Sequence, residues 1–273
     1  AAMKFEEAEA SFSKYLNQYP TGVHAIKSHY YRGESRMTLD KQAEALVDFK
    51  AVLKNDWSEF TEEAANKASQ IAWQTHQYEE AYELYQTLKE VAINPELLQK
   101  AFVGVAKTAY ELGEYDKAYS NAELALAMEG SSKSLKEEAQ LVKANVLVDR
   151  GEFETALSYY EVLKNSKQAY IFAPSHYHIA YIAYRKNEMT KAEEAAAFSA
   201  QNSGGQEYWT VSSYLLLAQV LFESEDYFNA KALLQGIVSD PSENSLIMPL
   251  KREAQLLYEE AIKKEKEKSK LKD

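Results

Sequence analysis

Few residues in this chain combine the type and spacing that chemistry needs. His176 and His178 lie two apart in "SHYHIAYIAYRK". On a helix they point to different faces, so they do not share a metal ion. His24 and His29 are five apart, with no acid at a ligand spacing beside them. "NSGGQ" at 202–206 has paired glycines but lacks the lysine and flanking strand of a phosphate-cradling loop, and reads as a loop between units. The absence of cysteine removes disulfides and thiolate metal sites and leaves the compartment open. Carboxylates are plentiful, yet no pair stands out for acid–base work, and serine or cysteine nucleophile signatures are missing. The expectation is a chain with no cofactor, no metal and no catalysis: not an enzyme.

What remains is surface. Tyr177, Tyr181 and Tyr184 recur at spacings of four and three and share one helical face. The net charge is −11. The tail from Lys263 to Asp273 holds six lysines and three acids, leaving −14 on the rest. An acidic body argues against nucleic acid as a partner, because phosphate binding needs basic stripes. The tail reads as the solvated end of a last amphipathic helix, with contact to an anionic surface as the alternative. The most apolar piece, "YLLLAQVLF" at 214–222, is far short of the roughly 18 residues of a membrane span.

The elements that must position these residues repeat. Gly33 precedes Ala45 by twelve residues, and the same interval separates Ser69 from Ala81, Ala106 from Ala118, Ala144 from Ala156, Ala180 from Ala192 and Ala218 from Ala230. Starting from an unpaired Ala8, the second members step by 36 to 38 residues, and an unpaired Ala254 follows. Such a period marks a repeat architecture. Large residues flank the alanines at three before (Tyr78, Tyr115, Phe153, Tyr227) and four after (Phe12, Phe49, Tyr85, Tyr160). Those offsets put a large–small–large face on one helix. A small residue opens a hole that an aromatic ring on the partner helix fills. The constant twelve spans a helix end, a tight turn and a helix start, while the interval to the next unit varies from 24 to 26. Length variation is thereby confined to the second helix and the loop between units.

Terminus signals agree. Asn94-Pro95 reads as an N-cap with proline in the first turn, and Ser134 to Glu137 as a capping box. Gly113 and Gly151 suit sharp helix exits, and Pro174 and Pro241 are expected between units. No alternating apolar run signals a sheet.

The stretches "YYRGESRMTLDKQAEALVDFKAVL", "VAKTAYELGEYDKAYSNAELAL" and "ANVLVDRGEFETALSYYEVL" resemble the tetratricopeptide repeat family across nearly all of residues 4 to 262. The family unit is about 34 residues; these are longer. His29, Phe102, His176 and Tyr214 stand where the signature tryptophan would be. The resemblance implies an all-α, right-handed superhelical solenoid of antiparallel helix hairpins. It would be a single domain over 1–273: an orphan second helix at 4–20, six hairpin repeats over 21–240, and a capping helix with charged tail at 241–273. The opening "FEEAEASFSKYLNQYPTGVHAIKSHYYRGES" is similar to repeats of bacterial envelope proteins that accompany cell-division and outer-membrane assembly factors, which implies a periplasmic or envelope location. The unpaired Ala8 suggests a piece cut from a longer protein, with a native single-helix cap as the alternative.

The same resemblance implies that first helices line a groove with residues three before, one after and four after the small residue. Tyr30, Asn66, Gln70, Trp73, Lys107, Tyr110, Asn145, Tyr177, Tyr181, Tyr184 and Gln219 fall on that face, with Arg185 beside it. Amides there can bond a peptide backbone, and tyrosines add rigid contact area. The tyrosine stripe at 177–184 either packs against the next unit or forms an aromatic shelf flanked by Arg185 and Asn145 and extended by Trp73 and Tyr110. The clamp that grips a C-terminal carboxylate needs lysines and asparagines at set groove places; here those places hold Tyr30, Glu34, Asn66 and Gln70, with Lys107 the only lysine, so that ligand is not expected. Two functions follow: a scaffold holding a protein or peptide in the groove, or a structural segment that self-associates through its exposed first helix, where Phe5, Phe12, Tyr15 and Leu16 lie.

Overall fold

The computed structural model describes residues 2–130 and 132–270. Among these the chain is all helix and turn. In order the helices are α1 (Ala2–Gln18), α2 (Ala25–Thr38), α3 (Gln42–Leu53), α4 (Thr61–Gln74), α5 (Tyr78–Val91), α6 (Pro95–Glu111), α7 (Tyr115–Ala127), α8 (Lys133–Asp149), α9 (Phe153–Leu163), α10 (Ala169–Arg185), α11 (Met189–Gln201), α12 (Glu207–Glu223), α13 (Tyr227–Ser239) and α14 (Met248–Lys270). The last three residues of the lysine-rich tail, 271–273, lie outside the described residues. The chain divides into two compact units, Ala1–Val146 and Leu147–Asp273.

The small residues do what their spacing predicts. Ala45, Ser69, Ala81, Ala106, Ala118, Ala144, Ala156, Ala180, Ala192, Ala218 and Ala230 are all 0% exposed, and Gly33 is buried. A Cβ on Gly33 would stand 2.9 Å from the Phe49 ring, and one on Gly104 would stand 2.2 Å from the Tyr85 ring. Phe49 and Tyr85 each lie four residues after the alanine of a second helix, so the rings occupy the holes that the small residues leave. In the N-terminal unit Leu46, Phe49, Ile71, Tyr85 and Leu88 build one core cluster, and Val103, Ala122 and Val142 a second. In the C-terminal unit Val211, Leu215, Leu234 and Ile247 pack around Ala254.

A shared turn explains the constant interval. Seven residues after each first small residue stands one in the left-handed region: Asp40, His76, Gly113, Gly151, Asn187 and Glu225, with φ between 58° and 75°. The next residue donates its N–H back across the turn: Lys41 to Arg36, Gln77 to Ala72, Glu114 to Ala109, Glu152 to Leu147, Glu188 to Ala183 and Asp226 to Leu221, at 2.8 to 2.9 Å. This six-to-one bond closes a Schellman motif and satisfies an orphan carbonyl at the helix end.

Two terminus expectations need correction. Pro174 does not separate units; it sits inside α10, in its second turn, where it forgoes the bond to the Tyr170 carbonyl and its ring crowds that carbonyl. The cap of α8 is Ser132, whose Oγ accepts from Leu135 N–H at 3.2 Å. Ser134 is already helical, so it does not cap. Asn94 caps α6 as expected, accepting from Glu96 N–H at 2.8 Å.

Candidate partner-binding face

In the N-terminal unit the first helices present a polar and aromatic face. Gln70 Nε2 donates to Asn66 Oδ1 at 2.8 Å, and Asn66 Nδ2 donates to Glu63 at 3.1 Å. Both amides are thus held in fixed orientations. Lys67 pairs with Glu34 at 3.1 Å. Lys107 lies 4.6 Å from the centroid of Trp73 and donates to Glu138 at 2.9 Å. Tyr30 packs on Phe49 and Phe60; burial, with Glu34 and Glu63 adding to it, pushes its hydroxyl up to about 12. Asn145 is half-buried.

In the C-terminal unit the stripe is real but not free. Tyr177 stacks on Tyr181 and packs 5.3 Å from Trp209 of α12. All three tyrosines lean on the cluster of Ala180, Ala196 and Leu216. Arg185 donates from Nη1 to the Tyr181 hydroxyl at 2.6 Å and lies over the Phe153 ring. Tyr184 donates to Glu223; burial, reinforced by that carboxylate, raises its hydroxyl to about 12. Gln219 Nε2 donates to Glu253 Oε1 at 2.8 Å.

A second regularity was not anticipated. The aromatic four residues after the small residue packs on the aromatic that opens the second helix: Trp73 on Tyr78 at 5.4 Å, Tyr110 on Tyr115 at 5.7 Å and Phe222 on Tyr227 at 5.3 Å. These ring contacts brace the hairpin tips.

His176 and His178 do diverge. His176 lies between Phe172 and Phe198, with Nε2 3.2 Å from the Lys164 carbonyl. His178 stacks on Tyr160 at 5.0 Å and meets Trp209 at 5.7 Å. Its Nδ1 is buried without a hydrogen-bond partner, and burial pushes its pKa down to about 4. Among the described residues no three His, Asp or Glu side chains converge as a metal-holding group, and no helix is long and apolar enough to cross a membrane.

Sequence reasoning missed one cluster. Asp48, 0% exposed, accepts from Arg32 Nη2 at 2.7 Å and from Arg36 Nη1 at 2.8 Å, with His29 Nδ1 at 2.8 Å. Arg36 and Lys41 also hold Glu9 of α1 at 2.9 and 2.6 Å. Burial alone would raise the Asp48 carboxyl, but the hydrogen bonds from His29 and Arg32 and the guanidinium charges outweigh it and hold it below its ordinary value. The signal was present: an acid on the buried face of α3, opposite His29, Arg32 and Arg36 at helical spacing.

The chain is similar in fold to a tetratricopeptide repeat protein from Parabacteroides merdae, with TM-score 0.64 at 16% identity over 92% of each chain. The fold is a tetratricopeptide-repeat fold. PilW, a widely conserved type IV pilus biogenesis factor, matches with TM-score 0.63 at 12% identity over 84% of this chain and 99% of its own. YrrB, a repeat protein of the same class with an unusual peptide-binding site, matches with TM-score 0.53 at 14% identity over 73% of this chain and 95% of its own. No family model matches the chain, and no curated protein does.

Within the tetratricopeptide-repeat fold, the places of the signature tryptophan carry other packing. His29 bonds Asp48, Phe102 lies beneath Lys89, His176 wedges between phenylalanines and Tyr214 joins the core of the C-terminal unit.

Proposed function

We propose that this chain is a non-catalytic interaction scaffold that holds an extended segment of another protein against its first helices. The observation that carries the reading is the fixed amide pair Asn66–Gln70 beside the Lys107–Trp73 stack. Asn66 is buried and orients Gln70, whose half-buried amide can bond a peptide backbone, and the half-buried indole of Trp73 adds contact area at little entropic cost. The test is a photo-crosslinking residue placed at Gln70, Gln219 or, as a control on a second helix, Val47, which is 64% exposed. Discrete adducts at Gln70 and Gln219, absent at Val47, support the scaffold. Adducts only at Val47 overturn it.

Self-association is favoured by a separate observation. Ala8 is only half-buried, unlike its counterparts, and with Phe5, Phe12 and Tyr31 it lines an open cavity of about 590 Å³. Leu16 is buried and Phe12 stacks on Tyr31, so the open apolar surface centres on Phe5 and Phe12. Light scattering over a concentration series that returns a constant monomer mass removes this reading.

A further inference from the structure

The C-terminal unit contains a cavity of about 340 Å³ on the first-helix face. Its walls come from three successive first helices: Tyr184 of α10, Gln219 and Phe222 of α12, and Leu256 of α14. Leu256 is 69% exposed. Three carboxylates, Glu223, Glu253 and Glu260, stand around this apolar floor.

Their partners set this place apart. In the N-terminal unit two carboxylates of the same face are paired with lysines, Glu34 with Lys67 and Glu138 with Lys107, while Glu63 takes the Asn66 amide. Around the cavity, Glu223 takes only the Tyr184 hydroxyl and Glu253 only the Gln219 amide. Among the described residues no basic side chain pairs with Glu223, Glu253 or Glu260. Neutral donors orient two of the carboxylates without cancelling their charge. The combination is an apolar floor with a negative rim.

Resting on the scaffold reading above, we infer that this cavity receives a lysine or arginine of the bound segment, with an adjacent apolar residue lying on Phe222 and Leu256. The cationic head meets the exposed carboxylates of the rim, and its methylene stem covers the Phe222 ring, as long basic side chains do on apolar surface. Arginine can engage a carboxylate through two parallel bonds.

The test uses the full 273-residue chain as bait for a random linear-peptide display library, beside the triple variant Glu223→Gln, Glu253→Gln, Glu260→Gln. Melting curves verify that the variant is folded. The expected result is enrichment of peptides with Lys or Arg next to an apolar residue. The affinity of a selected peptide should fall about tenfold or more on the triple variant, the loss of one charge-assisted contact, and should weaken with added salt. Replacing the peptide lysine by norleucine should cost about as much on the wild type and little further on the variant. Peptides without basic enrichment, or basic peptides that bind both proteins equally, overturn the inference and leave the scaffold standing. Failure to select any peptide overturns both.

Discussion

Replacing Gly113 and Gly151 by alanine isolates the turn that sets the repeat. Both glycines have φ of +75°, and a Cβ added at either would meet nothing within 4 Å. Clash is therefore absent, and only the backbone conformation is charged for the change. The left-handed region costs an L-residue about 1–2 kcal/mol relative to glycine. Alanine recovers about 0.4–1 kcal/mol by restricting the unfolded chain. The net is about 1 kcal/mol of destabilisation per site. The sites lie 38 positions apart with no shared partner, so the double variant should lose about twice that, since distant sites add. The assay is thermal unfolding followed by circular dichroism, in which about 1 kcal/mol moves the midpoint by about 2–4 °C in a chain of this size. Gly113→Asn should cost less than Gly113→Ala, because asparagine tolerates this region. Alanine variants as stable as the wild type, or an asparagine variant worse than alanine, would refute the claim that a left-handed exit fixes the twelve-residue interval.

Gly104→Ala drives a methyl to 2.2 Å from the Tyr85 ring, and should lower unfolding free energy by about 1–3 kcal/mol through overpacking; chemical denaturation measures it, and adding Tyr85→Leu should recover part of the loss. Asp48→Ala strands Arg32 and Arg36 in a partly buried site and should cost about 3–5 kcal/mol, with α1 released first in hydrogen exchange, since Arg36 also holds Glu9. Because the Asp48 carboxyl is held below its ordinary value, its contribution is complete above pH of about 4 and is lost as acid protonates the folded state. His178 acts in a different window: with a folded pKa of about 4 against an ordinary 6.5, the unfolded chain binds the extra proton first. Stability should fall by about 1.4 kcal/mol for each pH unit of acidification from 6.5 to about 4, and His178→Phe should flatten that slope.

How much of this was legible depends on the range of the interaction. Small residues at a fixed interval are a local signal, and they marked the hairpins because burial of Ala45, Ala118 or Ala230 is forced by helix approach. Glycine marked two of the six left-handed exits. The others hold Asp40, His76, Asn187 and Glu225; Asp, His and Asn are enriched in that region yet far commoner outside it, and glutamate gives no hint, so the position seven residues after the small residue is what marks them. Ser134 reads as a cap because Glu137 follows it at the capping-box spacing, whereas Ser132, which does cap, is followed three residues on by Leu135 and carries no such signal. Asp48 escaped notice because its partners lie on another helix, 12 to 19 positions away. The tyrosine stripe illustrates a limit of periodicity. Spacing placed Tyr177, Tyr181 and Tyr184 on one face, but which part of that face Trp209 would cover is decided by packing of the next first helix.

The distribution of charge along the first helices then acquires a meaning that net charge lacks. An acidic chain must put its carboxylates somewhere, and on the N-terminal unit's first-helix face Glu34 and Glu138 sit within ion-pair reach of lysines. Pairing of that kind contributes little stability at a surface, yet it removes unbalanced field. Where Gln219 stands in the place that Lys107 holds and Glu223 takes a tyrosine hydroxyl, the field of Glu223, Glu253 and Glu260 is left to act on whatever approaches. A neutral donor that orients a carboxylate without neutralising it favours recognition of a cation over internal stabilisation. If selection had acted on stability alone, a lysine at position 219, one residue after Ala218 as Lys107 is one residue after Ala106, would have served better than glutamine. Gln219→Lys is therefore the substitution that should strengthen the fold slightly while closing the cavity to a basic side chain.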